Sequence, residues 1–470
     1  MKVRHQILKK RSLAFHIIVQ RAFVLFFLSV GCLYIFSCGR QAEQIPPNII
    51  FILIDDLGYG DLGCYGSTIN ETPNIDRLAA EGLLFTDYHS NGPMCTPTRA
   101  AFLTGLYQHR FGEKFEGAIS GKKDYDDGLP LTAVTIAEVL GNAGYATGMY
   151  GKWHLGYHPP FLPADQGFDD FIGLGSGDGD HFTHIDRSGR KDWWHNNELS
   201  MEEGYSTNLI TDHSIEFIKT HKDKPFFLYV SHLSIHFPWQ GPDDPPHRVE
   251  GRDYALDKWG IIPDKANISP HVKAMIESID EGVGKMKQTL EELKLDDNTL
   301  VIFTSDNGGY INYSDSHFNI SSNGPLRGQK TEIYEGGHRV PFLARWPGRI
   351  RAGQRSDETV LTMDMFPTFL DVADVERPQN LDLDGRSLVP HLFNGKALPG
   401  RAVCWKIDDE RAVRKGKWKL CMVGENEPEL FDLSNDIGEK MNLAADRPSI
   451  VQELKSDYEN WEEDVTAGYK

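Results

Sequence analysis

Along most of the chain, continuous apolar runs alternate with segments of helical spacing. Asn48-Ile49-Ile50-Phe51-Ile52-Leu53-Ile54 is unbroken, as expected of a strand buried on both faces of a parallel sheet. Phe226 to Val230 and Leu300 to Thr304 have the same character, and Tyr145 to Tyr150 and Val340 to Arg345 read as shorter strands. Between them, Thr72-Pro73 opens a helix with apolar Ile75, Leu78, Ala79 and Leu83 that ends near Gly82. Val134 to Leu140 reads as a helix stopped around Gly144, and Met363 to Val372 as another. Val272, Met275, Ile276, Ile279, Val283, Met286, Leu290 and Leu293 step by three and four, which predicts a long amphipathic helix. This alternation predicts an α/β fold: a large, mostly parallel sheet flanked by helices, spanning residues 47–376. Beyond Glu376 the texture changes. Ala402 to Lys406, Glu410 to Val413, Trp418 to Val423 and Pro428 to Leu433 form a meander, followed by a helix with Ile450, Leu454 and Trp461 on one face. Residues 377–470 are therefore expected to form a small antiparallel sheet with one helix.

Chemistry-bearing residues gather at the strand exits. Asp55, Asp56, Lys152, His154, His232, His236, Asp306 and Asn307 each follow the carboxyl end of a predicted strand, the edge where open α/β sheets bind ligands. Singly, each reads as a turn residue, a solvated Lys or a core His; together on one edge they point to a site. Adjacent carboxylates such as Asp55-Asp56 raise each other's pKa unless a cation sits beside them. Cys95-Thr96-Pro97-Thr98-Arg99 precedes Ala100 to Thr104 and Gly105. Here Thr96 is expected to cap a short helix, with Pro97 in the first helical position and Gly105 as its stop. Cys95 then lies at a helix mouth that favours negative charge, with Arg99 one turn along, an arrangement suited to chemistry on an anion. The alternative is a small buried Cys beside a surface-paired Arg.

Composition sets limits. The 470 residues are 40% hydrophobic and 25% charged, which is globular. A net charge of −19 argues against nucleic acid as a partner. Residues 1–38 stand apart: Lys2, Arg4, Lys9, Lys10, Arg11 and Arg21 precede the apolar run Ala22 to Phe36, the pattern of a signal peptide. Ile35-Phe36-Ser37-Cys38 resembles a bacterial lipobox, with Cys38 as the lipidated residue, Cys32 the weaker candidate and residues 39–46 a linker. The expectation is export and anchoring to a bacterial membrane, with an uncleaved anchor or a soluble product as the alternatives. Cys64, Cys95, Cys404 and Cys421 make no disulfide framework, and sequence leaves open whether Cys404 and Cys421 pair.

An ordered set of motifs carries a resemblance. The strand into Asp55-Asp56, Cys95-x-Pro97-x-Arg99 with Leu103-Thr104-Gly105, and Gly151-Lys152-Trp153-His154-Leu155-Gly156 are followed by His236-Phe237-Pro238 and Ser305-Asp306-Asn307-Gly308. Leu326-Arg327-Gly328-Gln329-Lys330, Glu335-Gly336-Gly337-His338-Arg339-Val340-Pro341 and Glu429-Leu430-Phe431-Asp432-Leu433 complete it. Over nearly all of the mature chain this resembles the type I sulfatases, formylglycine-dependent members of the alkaline-phosphatase-like superfamily. The resemblance implies that a sulfatase-maturing enzyme oxidises Cys95 to Cα-formylglycine. One hydroxyl of its hydrate would attack the sulfur of a sulfate ester, and the second would help expel sulfate. Thr98 stands where the family more often has Ser; Cys95, Pro97 and Arg99 are intact.

Asp55, Asp56, Asp306 and Asn307, with residue 95, would hold a hard cation, Ca²⁺ or Mg²⁺. Arg99 and Lys152 would hold the diol, Lys330 the sulfate oxygens, His154 would act on the second hydroxyl, and His236 would serve the leaving oxygen. Residues 175–197 form a polar and aromatic insertion that is the candidate for glycan specificity, through Ser176, His181 and Trp193, with His232 shaping the pocket. The expected substrate is a sulfated polysaccharide such as ulvan, a carrageenan-type galactan or a glycosaminoglycan. Two other readings stay open at this point: a phosphodiesterase or phosphonate ester hydrolase of the same superfamily, and a non-catalytic glycan-binding lipoprotein.

Overall fold

Asn48–Ile54 lies in the middle of a ten-stranded sheet because it is apolar toward both faces. Ile49, Phe51 and Leu53 enter one core; Ile50, Ile52 and Ile54 enter the other. The computed structural model describes residues 45–468, so the proposed leader, linker start and Cys38 lie outside the described residues. Across the sheet the strands run Gln354–Ser356, Leu83–Phe85, Phe342–Arg345, Thr299–Ser305, Asn48–Ile54, Phe226–His232, Ala146–Lys152, Asp170–Leu174, Trp194–His195 and Glu198–Leu199. The central strands are parallel, and Phe342–Arg345 joins antiparallel. Helices Cys95–Thr104, Ile136–Asn142 and Met365–Ala373 cover one face; Pro73–Ala80, Ser206–Thr220 and Ser269–Glu292 cover the other.

Register positions the site. Ile54 is level with His232 on one side and Ser305 on the other, so three adjacent strands end together. Asp55, Asp56 and the Asp306-Asn307 pair leave from that common edge. The Asp306 amide donates to the Ile54 carbonyl at 3.1 Å, extending the ladder one step into the site. Gly151, opposite Ser231 in the next strand, has φ +112°, and a Cβ there would lie 1.9 Å from the Ser231 carbonyl oxygen. Only glycine lets this strand close up and deliver Lys152.

Several boundaries differ from the sequence expectations, for local reasons. The helix expected from Val134 begins at Ile136, because Thr135 caps it: its hydroxyl accepts from the Glu138 amide at 3.1 Å, and the Glu138 carboxylate accepts from the Thr135 amide at 2.8 Å. Leu83 belongs not to the helix before it but to Leu83–Phe85, paired with Phe342–Arg345. Ser206–Thr220, absent from the sequence reading, is helical.

The C-terminal part forms a separate four-stranded antiparallel sheet of Ala402–Ile407, Glu410–Lys415, Trp418–Val423 and Glu429–Asp432. One face (Val403, Trp405, Phe431) packs on Ala101, Tyr107 and Met363 of the main body; the other (Val413, Leu420, Leu430) is covered by Leu454 and Tyr458 of helix Pro448–Thr466. Glu410–Lys415 lies between the strands that carry Cys404 and Cys421, which face opposite clusters and are both free thiols. The junction holds a buried ionic network. Arg414 clamps Asp87 through two bonds of 2.6 and 2.7 Å, and Lys419 lies 3.0 Å from Glu335 and 2.9 Å from Glu439. Against the pull of burial, Arg414 and Arg339 hold the Asp87 carboxyl well below its usual range. His89, Glu335 and His338 converge here, but Arg414 and Lys419 already occupy them, so the cluster is an ionic tie rather than a metal site.

Candidate active site

Cys95 is the first residue of helix Cys95–Thr104, and the cap is Met94, not Thr96. The Thr96 hydroxyl is used instead as a tie, donating to the His154 carbonyl at 3.2 Å and accepting from the Ile119 amide at 3.2 Å. The Thr98 hydroxyl donates to the Gly92 carbonyl at 3.2 Å. Gly105 ends the helix in the left-handed region, φ 69°. Cys95 is 2% exposed and sits at the floor of a cavity of about 280 Å³, which Lys330, His154, His236 and Ser176 also line.

Three carboxylates and three cations interlock beneath it, all buried. Lys152 Nζ donates to Asp55 Oδ2 at 2.6 Å and Lys330 Nζ to Asp56 Oδ1 at 2.5 Å. Arg99 Nε and Nη2 donate to Asp306 Oδ2 at 3.0 and 2.8 Å, while Nη1 binds the Lys152 carbonyl and Ser231 Oγ. Arg99 is thus fixed at every nitrogen. Burial, with Asp306 and Asp56 adding to it, keeps the Asp55 carboxyl well above its usual range despite Lys152. For Asp306, Arg99 and the two lysines outweigh burial and bring it below.

The oxygens fit a hard cation. Asp55, Cys95 and Asp306 offer ligand atoms within 4.8 Å of one another. Asp55 Oδ1 and Asn307 Oδ1 are buried without a hydrogen-bond partner, although Asn307 Nδ2 is bound to Asp56 at 2.8 Å. Buried acceptors left bare beside clustered carboxylates are what oxygen coordination of Ca²⁺ or Mg²⁺ requires. Asp56 adopts φ 63°, a left-handed conformation that turns its carboxylate back into the cluster.

His154, at φ 57°, places Nδ1 3.1 Å from Cys95 Sγ, with Nε2 3.0 Å from the Ile119 carbonyl. Because a carbonyl only accepts, Nε2 carries the proton and Nδ1 offers its lone pair to residue 95. Burial and then Lys152 push this imidazole well below its ordinary pKa, so it is neutral. Gly177 makes room: a Cβ there would lie 2.2 Å from the His154 ring. His236 Nδ1 donates to the Phe237 carbonyl at 2.7 Å, and burial, Lys330 and Lys152 depress its pKa well below the near-neutral value expected for a proton carrier.

The aromatic insertion is corrected. Trp193 is fully buried, stacked on His184 at 4.2 Å, and offers no face to a sugar. His181 is buried against Tyr205 and bonds Ser206 Oγ at 2.7 Å; His232 is buried with both ring nitrogens unpaired. None of the three lines the cavity. Asp180 serves the insertion and the neighbouring segment: it accepts five hydrogen bonds, from the amides of Phe182, Thr183, His247 and Arg248 and from Gln240 Nε2. The rings at the mouth come from elsewhere, from Phe237, Tyr310 and Tyr313, joined there by Arg187 and Lys258. Phe237 belongs to the His236-Phe237-Pro238 motif and Arg187 to the insertion, but sequence reasoning missed Tyr310, Tyr313 and Lys258, which lie on irregular segments with no motif.

Comparison with known proteins agrees with this geometry. The sulfatase family model matches residues 47–375, and a model described as the C-terminal region of N-sulphoglucosamine sulphohydrolase matches 329–464. Human N-acetylgalactosamine-6-sulfatase is 34% identical over 81% of this chain and 72% of that protein. Human arylsulfatase A is 34% identical over 87% and 86%. The solved structure of Ps i-CgsB in complex with k-i-k-neocarrahexaose superposes with a TM-score of 0.78 at 30% identity, covering 90% of this chain and 95% of that one. The chain belongs to the sulfatase family and is a sulfuric ester hydrolase.

Proposed function

We propose that this site removes sulfate from a sulfated polysaccharide or its oligosaccharides, using Cys95 converted to Cα-formylglycine and a divalent cation. The observation that carries the reading is the meeting of residue 95, the bare His154 nitrogen and the Asp55–Asp306 oxygen cluster at the floor of one cavity. One relative is named for N-acetylgalactosamine 6-sulfate and one solved structure holds a neocarrahexaose, which supports a saccharide substrate.

Asp55, Asp56, Asp306 and Asn307 would hold Ca²⁺ or Mg²⁺, which when bound would polarise sulfate oxygens and favour ionisation of an adjacent hydroxyl. Arg99 and Lys152, immobilised by Asp306 and Asp55, hold the hydrated residue 95 in place. Lys330 stays protonated despite burial because Asp56 faces it, and it reaches the cavity to bind sulfate oxygens. His154 accepts a proton at Nδ1 from a hydroxyl of residue 95 when sulfate is released. His236, with Nδ1 committed to Phe237 and its pKa depressed by burial, Lys330 and Lys152, would have to take up a proton at Nε2 before it could pass one to the departing sugar oxygen. The partners this implies are a formylglycine-generating enzyme and, through the leader and Cys38, a lipid membrane.

The test is to express the chain with and without a maturing enzyme, identify residue 95 by peptide mass, and measure sulfate release from defined sulfated oligosaccharides. Turnover should follow the aldehyde content and vanish in Cys95→Ala. Activity in that variant matching the wild type would refute the mechanism.

A further inference from the structure

The mouth of the cavity carries more positive charge than the reacting sulfate needs. Lys258 lines the same cavity as Cys95. Its Nζ donates to the Tyr313 hydroxyl at 3.0 Å and sits over three rings, 5.0 Å from Phe237, 4.6 Å from Trp259 and 4.8 Å from Tyr313. Among the described residues no carboxylate pairs with it, whereas Lys122 at the same rim has Asp253 at 2.5 Å. Rings attract an ammonium and fix it in place but do not neutralise it. Lys258 is therefore held yet uncompensated.

Arg187 strengthens the field. It also lines the cavity, with its guanidinium 5.1 Å from the Phe237 ring. Nε and Nη2 both bind Asp178 Oδ2, at 2.9 and 2.7 Å, and among the described residues Nη1 makes no hydrogen bond. Asp178 is shared with buried Arg248 at 3.4 Å, so one carboxylate answers two guanidiniums. Asp186, the other acid of this wall, lies 3.7 Å from Arg190 and accepts from the Ser188 and Arg190 amides. On a chain of net charge −19, a local cation excess at a cavity mouth marks an anion subsite, since the local field and not the total charge is what a ligand meets.

We propose that Lys258 and Arg187 form a second anion subsite, so that the preferred substrate carries a further anionic group, a sulfate or a carboxylate, beside the ester that is cleaved. This rests on the sulfatase reading above and narrows its substrate class to polyanionic saccharides. Tyr313, half-buried beside the ammonium and lining the cavity, gives the sugar bearing that group an aromatic wall.

The experiment uses full-length enzyme with formylglycine verified at residue 95 and 4-methylumbelliferyl sulfate as reporter. Inhibition constants are measured for N-acetylgalactosamine 6-sulfate, for its 4,6-disulfate, and for the 6-sulfated unsaturated chondroitin disaccharide, which supplies a carboxylate. The wild type should bind one of the dianions at least tenfold more tightly than the monosulfate, and which one tells sulfate from carboxylate. Lys258→Met should collapse that ratio to near unity, and Lys258→Arg should preserve it. Arg187 holds buried Asp178, so Lys258 is the cleaner position to change, with a thermal melt confirming that the variant is folded. No preference in the wild type, or a preference that survives Lys258→Met, overturns the second subsite alone. Failure of the verified wild type to release sulfate from the reporter and from all three saccharides overturns the proposed function, and the inference with it.

Discussion

His154 faces Cys95 with the nitrogen that lacks a proton: Nδ1 lies 3.1 Å from Sγ while the Ile119 carbonyl takes the Nε2 hydrogen. The tautomer is thus fixed by the backbone of a loop outside the strand-edge motifs. Gly177, packed under the ring, is part of the same device. Gly177→Ala forces the ring to move, because its Cβ would sit 2.2 Å from two ring atoms. A displacement near 1 Å costs about 10²-fold in kcat. Aldehyde content at residue 95 should be unchanged by peptide mass; full activity would show that the ring position is unimportant.

Cation binding should be visible without turnover. Wild-type protein should melt at higher temperature with added Ca²⁺ than with chelator, by the equivalent of about 2.7 kcal/mol at a hundredfold excess over Kd. Asp55→Asn, which keeps the shape and loses the charge, should abolish the shift. An equal shift in both proteins would place the ion elsewhere.

Acid should destabilise the fold early. Burial pushes His109 and His232 down to about 3 and His181 and His184 down to about 4. Unfolded, each titrates near 6.5. Below that value the unfolded chain binds protons that the folded chain refuses, so stability falls as pH falls toward 4, by about 1.4 kcal/mol per pH unit for each group. His109→Phe, remote from the cavity, should flatten that limb by one such increment in urea unfolding. An unaltered slope would mean that His109 is protonated or exposed in the fold.

The ionic junction should behave as a tie between the two sheets. Arg414→Met leaves Asp87 buried with less compensation and should cost about 3–5 kcal/mol in urea unfolding. Adding Asp87→Asn should recover part of the loss. Additive losses would show that the pair is not coupled.

Membrane association should depend on Cys38. In a bacterial host, the wild type should partition with membranes and incorporate labelled palmitate, and Cys38→Ala should do neither. Labelling that persists in the variant would exclude this residue as the anchor point.

The central strands were legible in sequence because burial on both faces leaves an unbroken apolar run, as in Asn48–Ile54 and Thr299–Ser305. The reacting set was legible because Asp55, Lys152 and Asp306 leave strands that end level in the sheet. The mouth was not. Trp193 in a polar stretch suggested a sugar platform, yet the Asp180 and Asp192 carboxylates satisfy that loop's own amides and the ring turns inward. Lys258 and Tyr313 meet only through tertiary folding, 55 positions apart, and no local pattern announces them.

Asp55, Lys152 and Asp306 hang on the register of the large sheet, whereas Arg187, Lys258 and Tyr313 belong to segments outside that sheet. Chemistry and choice of substrate are therefore separately heritable. Insertions or exchanges in residues 178–190, 249–261 and 310–317 should alter which sulfate ester is accepted while the sulfate-cleaving floor stays as it is. A change of substrate would need only new rims, not a new catalyst.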